Sequence, residues 1–151
     1  MVYYKKIIEY LDIIDLYHFY LINKYTYNTF NLKDKLKEYY FLVITNEINK
    51  YINIINYIIQ NDINININIY QNYILLHNKS LTDIKINSRS FQYFYVNKER
   101  SFNFNINNLK IIKQHILLYD NLYIYQKIDE SKIYIDVRNK FGKKKLIIIN
   151  I

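Results

Sequence analysis

The sequence has 151 residues with no proline, cysteine, tryptophan or alanine, and Gly142 is its only glycine. Hydrophobic residues make up 51% of it, which excludes the intrinsically disordered class, and its length suits one domain. The lack of cysteine excludes disulfides, thiolate metal sites and a cysteine nucleophile. The net charge of +8 favours a polyanion or an acidic membrane surface as a partner.

The composition carries information about the gene. The missing residue types have GC-rich codons, whereas the abundant isoleucine, asparagine, tyrosine, lysine and phenylalanine have AT-rich codons. We therefore infer an extremely AT-rich gene of the kind found in organelle genomes. The expected location is the mitochondrial matrix, and a plastid or another AT-rich genome is the second choice.

Residues 1–37 are predicted to form an N-terminal helical extension. A helix is expected from Tyr3 to Leu21, because Ile7, Leu11 and Ile14 recur at helical spacing between polar residues. The acidic side chains that interrupt this apolar run make it too polar to cross a bilayer, so membrane insertion is not expected.

The next segment contains the clearest local patterns. Tyr39–Thr45 (YYFLVIT) is β-branched and aromatic on both faces, which predicts a buried central strand. A helix is predicted over residues 48–60, where isoleucines share one face and asparagines the other. Residues 63–69 (INININI) alternate with period two, which predicts a half-buried strand, and Tyr73–Leu76 continues as extended structure.

Less regular segments follow. Residues 77–90 are polar and predict a long hairpin loop. Beyond it we expect a strand at Phe91–Val96, an irregular connection at Asn97–Asn108 and a further extended segment at Leu109–Leu118. A short helix is expected at Asp120–Ile128 and a last strand at Ile133–Val137.

From residue 39 onward this order predicts an α+β fold. It fits the split β-α-β-β-α-β pattern of ferredoxin-like domains, with an elongated hairpin loop. The predicted division is the extension (1–37), a ferredoxin-like domain (38–139) that we expect to bind RNA, and a basic C-terminal tail (140–151).

The RNA expectation comes from the distribution of charge. Residues 79–113 carry seven basic and two acidic side chains (+5), and residues 138–151 carry five basic and none acidic (+5). Lysine and arginine neutralise phosphates, and aromatic rings stack on unpaired bases. The structural alternatives are that the charged residues form a solvated face and that the aromatic residues belong to a buried strand. The candidate RNA-binding residues are Lys79, Lys85, Arg89, Lys98, Arg100, Lys110, Lys113, Lys140, Lys143, Lys144 and Lys145, and the neighbouring aromatic residues are Tyr93, Phe94, Tyr95 and Phe102.

No pattern of residues indicates an enzyme. His18, His77 and His115 lie in separate predicted elements without carboxylates at metal spacing. A single glycine cannot form a phosphate-binding loop, and the serines lack a nucleophile-elbow context. We therefore expect no catalytic residue, metal, cofactor or small-molecule substrate.

Several short segments carry a family resemblance. A buried strand leads directly into an amphipathic helix at residues 39–60. Tyr73–Thr82 (YILLHNKSLT) ends in a leucine and a threonine, Asn97–Phe102 (NKERSF) is a basic stretch followed by an aromatic residue, and Lys127–Asp129 (KID) precedes the last predicted strand. In these features residues 39–140 resemble small-subunit ribosomal protein ten, in a divergent mitochondrial form.

The chain departs from that family at two points. The prolines of the family's Leu-Pro-Thr motif are absent, and its His-Lys-Arg cluster is reduced to Lys110. The resemblance implies a structural role in the head of the small ribosomal subunit, with ribosomal RNA and other small-subunit proteins as partners. One alternative is small-subunit ribosomal protein four, which Tyr73–Asn78 resembles faintly. The other is an accessory subunit of an organelle respiratory complex.

Overall fold

The computed structural model describes residues 12–23, 36–45, 48–61, 64–79, 82–116, 118–127 and 130–151. Three helices and nine strands form within these residues. In chain order they are α1 (Ile13–Asn23), β1 (Tyr39–Thr45), α2 (Ile48–Gln60), β2 (Ile65–Ile69), β3 (Tyr73–His77), β4 (Ile84–Asn87), β5 (Tyr93–Val96), β6 (Arg100–Phe104), α3 (Ile106–Ile116), β7 (Asn121–Lys127), β8 (Lys132–Arg138) and β9 (Lys144–Asn150). A 3-10 turn at Ser88–Ser90 follows β4.

The strands form two antiparallel sheets. The first has the order β5-β1-β7-β8-β9 and the second the order β4-β3-β2-β6. β1 is central in the first sheet, and all five of its inner residues are buried. Because β1 is covered on both faces, its sequence is apolar throughout instead of alternating.

The main core lies on one face of the first sheet. Alternate side chains of β1, represented by Tyr40 and Leu42, meet residues of the second sheet such as Ile69 and Phe104. Helices α2 and α3 contribute further isoleucines and leucines to this cluster, including Ile58. Burial of these apolar side chains is the dominant stabilising contribution to such a fold.

Helix α1 packs on the opposite face of the first sheet. Tyr17 meets Phe41 at 5.4 Å and Tyr93 at 5.2 Å between ring centroids. His18 Nε2 and the Tyr123 hydroxyl are hydrogen-bonded at 2.9 Å. Burial lowers the pKa of His18, and the positive charge of Arg138 lowers it further.

The strongest local patterns are confirmed. β1 occupies the predicted residues 39–45, α2 the predicted residues 48–60, and β2 most of the alternating isoleucine run. Of the helix predicted at Tyr3–Leu21, the later part is present as Ile13–Asn23, whereas residues 3–11 of that prediction lie outside the described residues.

Two later predictions are wrong. Helix α3 (Ile106–Ile116) replaces most of the extended structure expected at Leu109–Leu118, because Leu109, Ile112 and Ile116 bury one helical face. The helix expected at Asp120–Ile128 is instead strand β7, which lies between β1 and β8. Hydrogen bonds to β1 on one side and β8 on the other satisfy the backbone N–H and C=O groups of β7.

The boundaries of three polar segments also differ from expectation. The loop predicted at 77–90 contains β4 and the 3-10 turn, and the connection predicted at 97–108 contains β6 and the start of α3. The predicted tail at 140–151 contains β9, which pairs with β8. The α+β class is observed. The ferredoxin-like order is not confirmed, because the strands flanking α2 belong to different sheets.

Candidate nucleic-acid interface

The turn between β8 and β9 gathers the largest group of predicted cations. We call residues 139–145 the hairpin tip. The Asn139 Oδ1 atom accepts hydrogen bonds from the backbone N–H groups of Phe141 (3.0 Å) and Lys143 (2.9 Å). Gly142 has φ +85°, a conformation that glycine adopts without a side-chain clash. These contacts hold the turn in one shape.

The hairpin tip presents an aromatic ring between positive charges. The Phe141 side chain is 82% exposed, and the Lys140 Nζ atom lies 5.6 Å from its ring centroid. Lys143, Lys144 and Lys145 are exposed as well, and the sequence has no acidic residue from 137 to 151. A ring that can stack on a base beside lysines that can contact phosphates is a suitable arrangement for single-stranded nucleic acid.

A second candidate lies where β5 leads into β6. Lys98 is exposed and Arg100 is half-buried there, beside an open cavity of about 250 Å³. We call it the β6 cavity. It is lined by residues of β6 and the preceding connection, by one residue of β7 and by the residue that follows β9, namely Lys98, Glu99, Arg100, Ser101, Phe102, Gln126 and Ile151.

Two polar side chains are buried on neighbouring strands near this cavity, and of these Gln126 lines it. Gln126 is 0% exposed, and its Nε2 donates to the backbone oxygen of Glu130 at 2.7 Å. Gln126 Oε1 has no hydrogen-bond partner within the described part of the chain, and the same holds for the hydroxyl of Tyr40. The two residues are cross-strand neighbours in β1 and β7. Burial raises the pKa of Tyr40, which outweighs the opposing effect of Arg100.

The cations near β4 form a separate group. Lys79, Lys85 and Arg89 are exposed along or beside this strand, and the Lys85 Nζ atom lies 4.4 Å above the ring of Tyr73. β4 and β6 are opposite edges of the second sheet, so this group does not adjoin Lys98. The candidate RNA-binding residues between 79 and 100 therefore lie at two separate sites on the second sheet.

Two further predicted residues lie on helix α3. Lys110 is exposed and Lys113 is half-buried. α3 contributes its apolar face to the main core, so these lysines form a small polar face of their own.

The aromatic residues singled out in the sequence serve mainly as packing groups. Tyr93 and Tyr95 pack in the cluster under α1, and Phe94 and Phe102 pack against the main core. This outcome follows the buried-strand alternative. Phe141 was not among the aromatic candidates chosen from the sequence, although its position between lysines and beside the only glycine was a usable signal. Gln126 was not chosen either, because its burial depends on long-range strand pairing.

The described residues contain no group of three histidine, cysteine, aspartate or glutamate side chains arranged to hold a metal ion. Among the same residues, no helix has the length and apolarity needed to span a membrane. Comparison with models of known protein families finds no match, and neither does comparison with curated protein sequences.

Proposed function

We propose that this chain is an RNA-binding structural constituent of the small subunit of an organelle ribosome, in the mitochondrion. In this role it contacts ribosomal RNA and neighbouring small-subunit proteins and catalyses no reaction. The hairpin tip is the observation that carries the proposal.

The chemistry of the hairpin tip supports RNA as the partner. Lys140, Lys143, Lys144 and Lys145 supply four exposed ammonium groups within six residues, and Phe141 stands exposed among them. Because the turn is held by the Asn139 side chain and continues into a paired strand, little backbone ordering is required on binding. Lysines of this kind contact phosphates without selecting a sequence, as ribosomal proteins with a structural role require.

The ribosomal assignment draws on the sequence. It rests on the AT-rich composition and on the short segments that resemble small-subunit ribosomal protein ten. The resemblance applies to these segments and not to strand order, since the two strands flanking α2 lie in different sheets. No ferredoxin-like arrangement supports the assignment, and small-subunit ribosomal protein four remains the alternative within this class.

One observation favours a second candidate. Leu146 and Ile148 are 47% and 50% exposed on β9, one of the two edge strands of the first sheet. Exposed aliphatic side chains on a strand edge suit a protein neighbour. A protein neighbour fits a ribosomal location, and it equally fits an accessory subunit of an organelle respiratory complex.

Sedimentation of a lysate from the isolated organelle separates these candidates. The proposal predicts that the chain migrates with small ribosomal subunits and is released from that fraction by ribonuclease. Migration with a respiratory complex, unchanged after ribonuclease treatment, would show that the second candidate is right.

A further inference from the structure

The space between the two sheets contains a second cavity, with a volume of about 170 Å³. We call it the core cavity. Both sheets and the helices α2 and α3 contribute to its lining, and each described residue of that lining is aliphatic or aromatic. An engineered cavity of about 150 Å³ with such a lining stays dry and binds benzene. The core cavity is therefore large enough to hold the apolar part of a ligand.

The burial of one isoleucine on each sheet indicates where the core cavity lies. Ile67 is half-buried, although its neighbours on the same face of β2, Ile65 and Ile69, are both buried. Ile124 is likewise half-buried, although the residues before and after it on the same face of β7 are buried. Both isoleucines line the core cavity. The cavity therefore lies over the middle of each sheet, where the packing is less close than around it.

The core cavity and the β6 cavity follow each other along two strands. On β6, Phe104 lines the core cavity, Phe102 lines both cavities and Arg100 lines the β6 cavity. On β7, Ile124 lines the core cavity and Gln126, the next residue on the same face, lines the β6 cavity. Because residues two positions apart on a strand are separated by about 7 Å, the two cavities are direct neighbours. Phe102 lies at their junction.

The two ends of this combined space differ in charge. Each described residue that lines the core cavity is uncharged, whereas Lys98, Glu99 and Arg100 line the β6 cavity. Two cations and one carboxylate leave a net positive charge there, and the exposed position of Glu99 weakens its repulsion of an anion. Burial of an aliphatic chain is favourable at the first end, and attraction of an anionic group is favourable at the second.

We propose that this chain binds a free medium-chain fatty acid, with the aliphatic chain in the core cavity and the carboxylate beside Lys98 in the β6 cavity. Phe102 contacts the part of the chain next to the carboxylate. The fatty acid is bound and not converted. A free fatty acid suits the core cavity better than a phospholipid, because a volume of about 170 Å³ has little room for a second chain. This binding goes beyond the proposed RNA-binding function, and neither depends on the other.

Isothermal titration calorimetry of the full chain with three ligands tests the two ends of the site separately. Decanoate carries both the chain and the charge, decanol carries the chain alone, and acetate carries the charge alone. We expect decanoate to bind at one site, decanol to bind about tenfold more weakly, and acetate to give no detectable binding. Equal affinities for decanoate and decanol, or binding of acetate as tight as that of decanoate, would overturn the proposal.

Two substitutions assign the binding to the core cavity. Ile67→Phe places a larger side chain in the space over β2, and we expect it to weaken decanoate binding by at least about tenfold. Ile111→Phe is the matched control, because it adds the same ring at a position of α3 that is 43% exposed, and it should leave the affinity unchanged. Unchanged affinity in Ile67→Phe would overturn the proposed site. If circular dichroism shows that Ile67→Phe does not fold, Leu76→Phe replaces it at the cross-strand neighbour, with the same expectation and the same refuting result.

A further substitution tests the cationic end of the site. Lys98→Gln removes an exposed ammonium group, and we expect it to weaken decanoate binding about threefold while leaving decanol binding unchanged. Lys132→Gln, at an exposed position on β8, is the matched control and should change neither affinity. An equal effect of both substitutions on decanoate would overturn the contact with Lys98, because net charge alone would then explain it. Binding to phosphatidylglycerol vesicles without binding to decanoate would overturn the proposal in favour of a membrane surface.

Discussion

Replacement of the four lysines of the hairpin tip gives the most quantitative prediction. Each phosphate contact with single-stranded nucleic acid contributes about 0.7 to the slope of log affinity against log salt concentration. Lys140, Lys143, Lys144 and Lys145 are exposed, so all four can release counterions on binding. Their replacement by glutamine should lower the slope by about 2.8. Between 50 and 200 mM salt, the affinity of the unaltered chain should therefore fall by a factor roughly 50-fold larger than that of the variant.

The assay is fluorescence anisotropy of a labelled single-stranded RNA titrated at several potassium chloride concentrations. The matched control is Lys127→Gln with Lys132→Gln, which removes exposed charges at the other end of β8 and should change the slope much less. Because all these side chains are exposed, stability should stay within about 0.5 kcal/mol. An unchanged slope in the fourfold variant, or an equal loss in the control, would refute the assignment of RNA contacts to the hairpin tip.

Three further predictions concern the second cationic site and the packing of α1. Charge reversal at Lys98 and Arg100 should reduce incorporation into small subunits while leaving the circular dichroism spectrum unchanged; normal incorporation would contradict this. Phe41→Ala, at a fully buried position, should lower the free energy of unfolding in urea by about 3–5 kcal/mol, and a loss below about 1 kcal/mol would contradict the packing described here. Burial lowers the pKa of His18 from 6.5, so the unfolded chain binds more protons just below pH 6.5, and stability should fall as the pH drops through this range. His18→Gln should flatten that dependence in urea unfolding measured from pH 5 to 8.

The sequence predicted those elements whose pattern depends on their immediate surroundings. β1 is apolar at every inner position because it lies in the middle of its sheet, and this was visible as an uninterrupted run. In α2, isoleucines recur at helical spacing and pack on the main core, while Asn53 and Gln60 are exposed. Both segments therefore carried their own evidence for type and extent.

Other elements depended on partners that are distant in the sequence. Leu122 and Tyr125 have the spacing of one helical face, whereas in β7 they lie on opposite faces of the first sheet, each packed against a different cluster. Pairing with β1 and β8 selects the strand. Lys144–Asn150 contains four consecutive aliphatic residues, which hides the alternation that appears once β9 pairs with β8. Periodicity alone does not distinguish these outcomes.

The helix α3 was missed for a different reason. Leu109, Ile112 and Ile116 have helical spacing, so the signal was present in the sequence. The segment was nevertheless predicted to be extended, and the packing of this helical face against the main core overrides that prediction.

The candidate site was only partly accessible from sequence. The local density of lysine identified the hairpin tip, because its charges are neighbours in the chain. The separation of Arg89 from Lys98 follows from the order of strands in the second sheet, which places β4 and β6 at opposite edges. The β6 cavity likewise requires Gln126 of β7 to meet residues of the β5–β6 connection.

Ultraviolet crosslinking in the intact organelle, followed by sequencing of the bound RNA and mass spectrometry of the crosslinked peptides, tests RNA binding most directly. The account predicts small-subunit ribosomal RNA attached to peptides that contain Phe141 or residues 97–102. Crosslinks absent from the whole chain, or an RNA other than that of the small subunit, would contradict it.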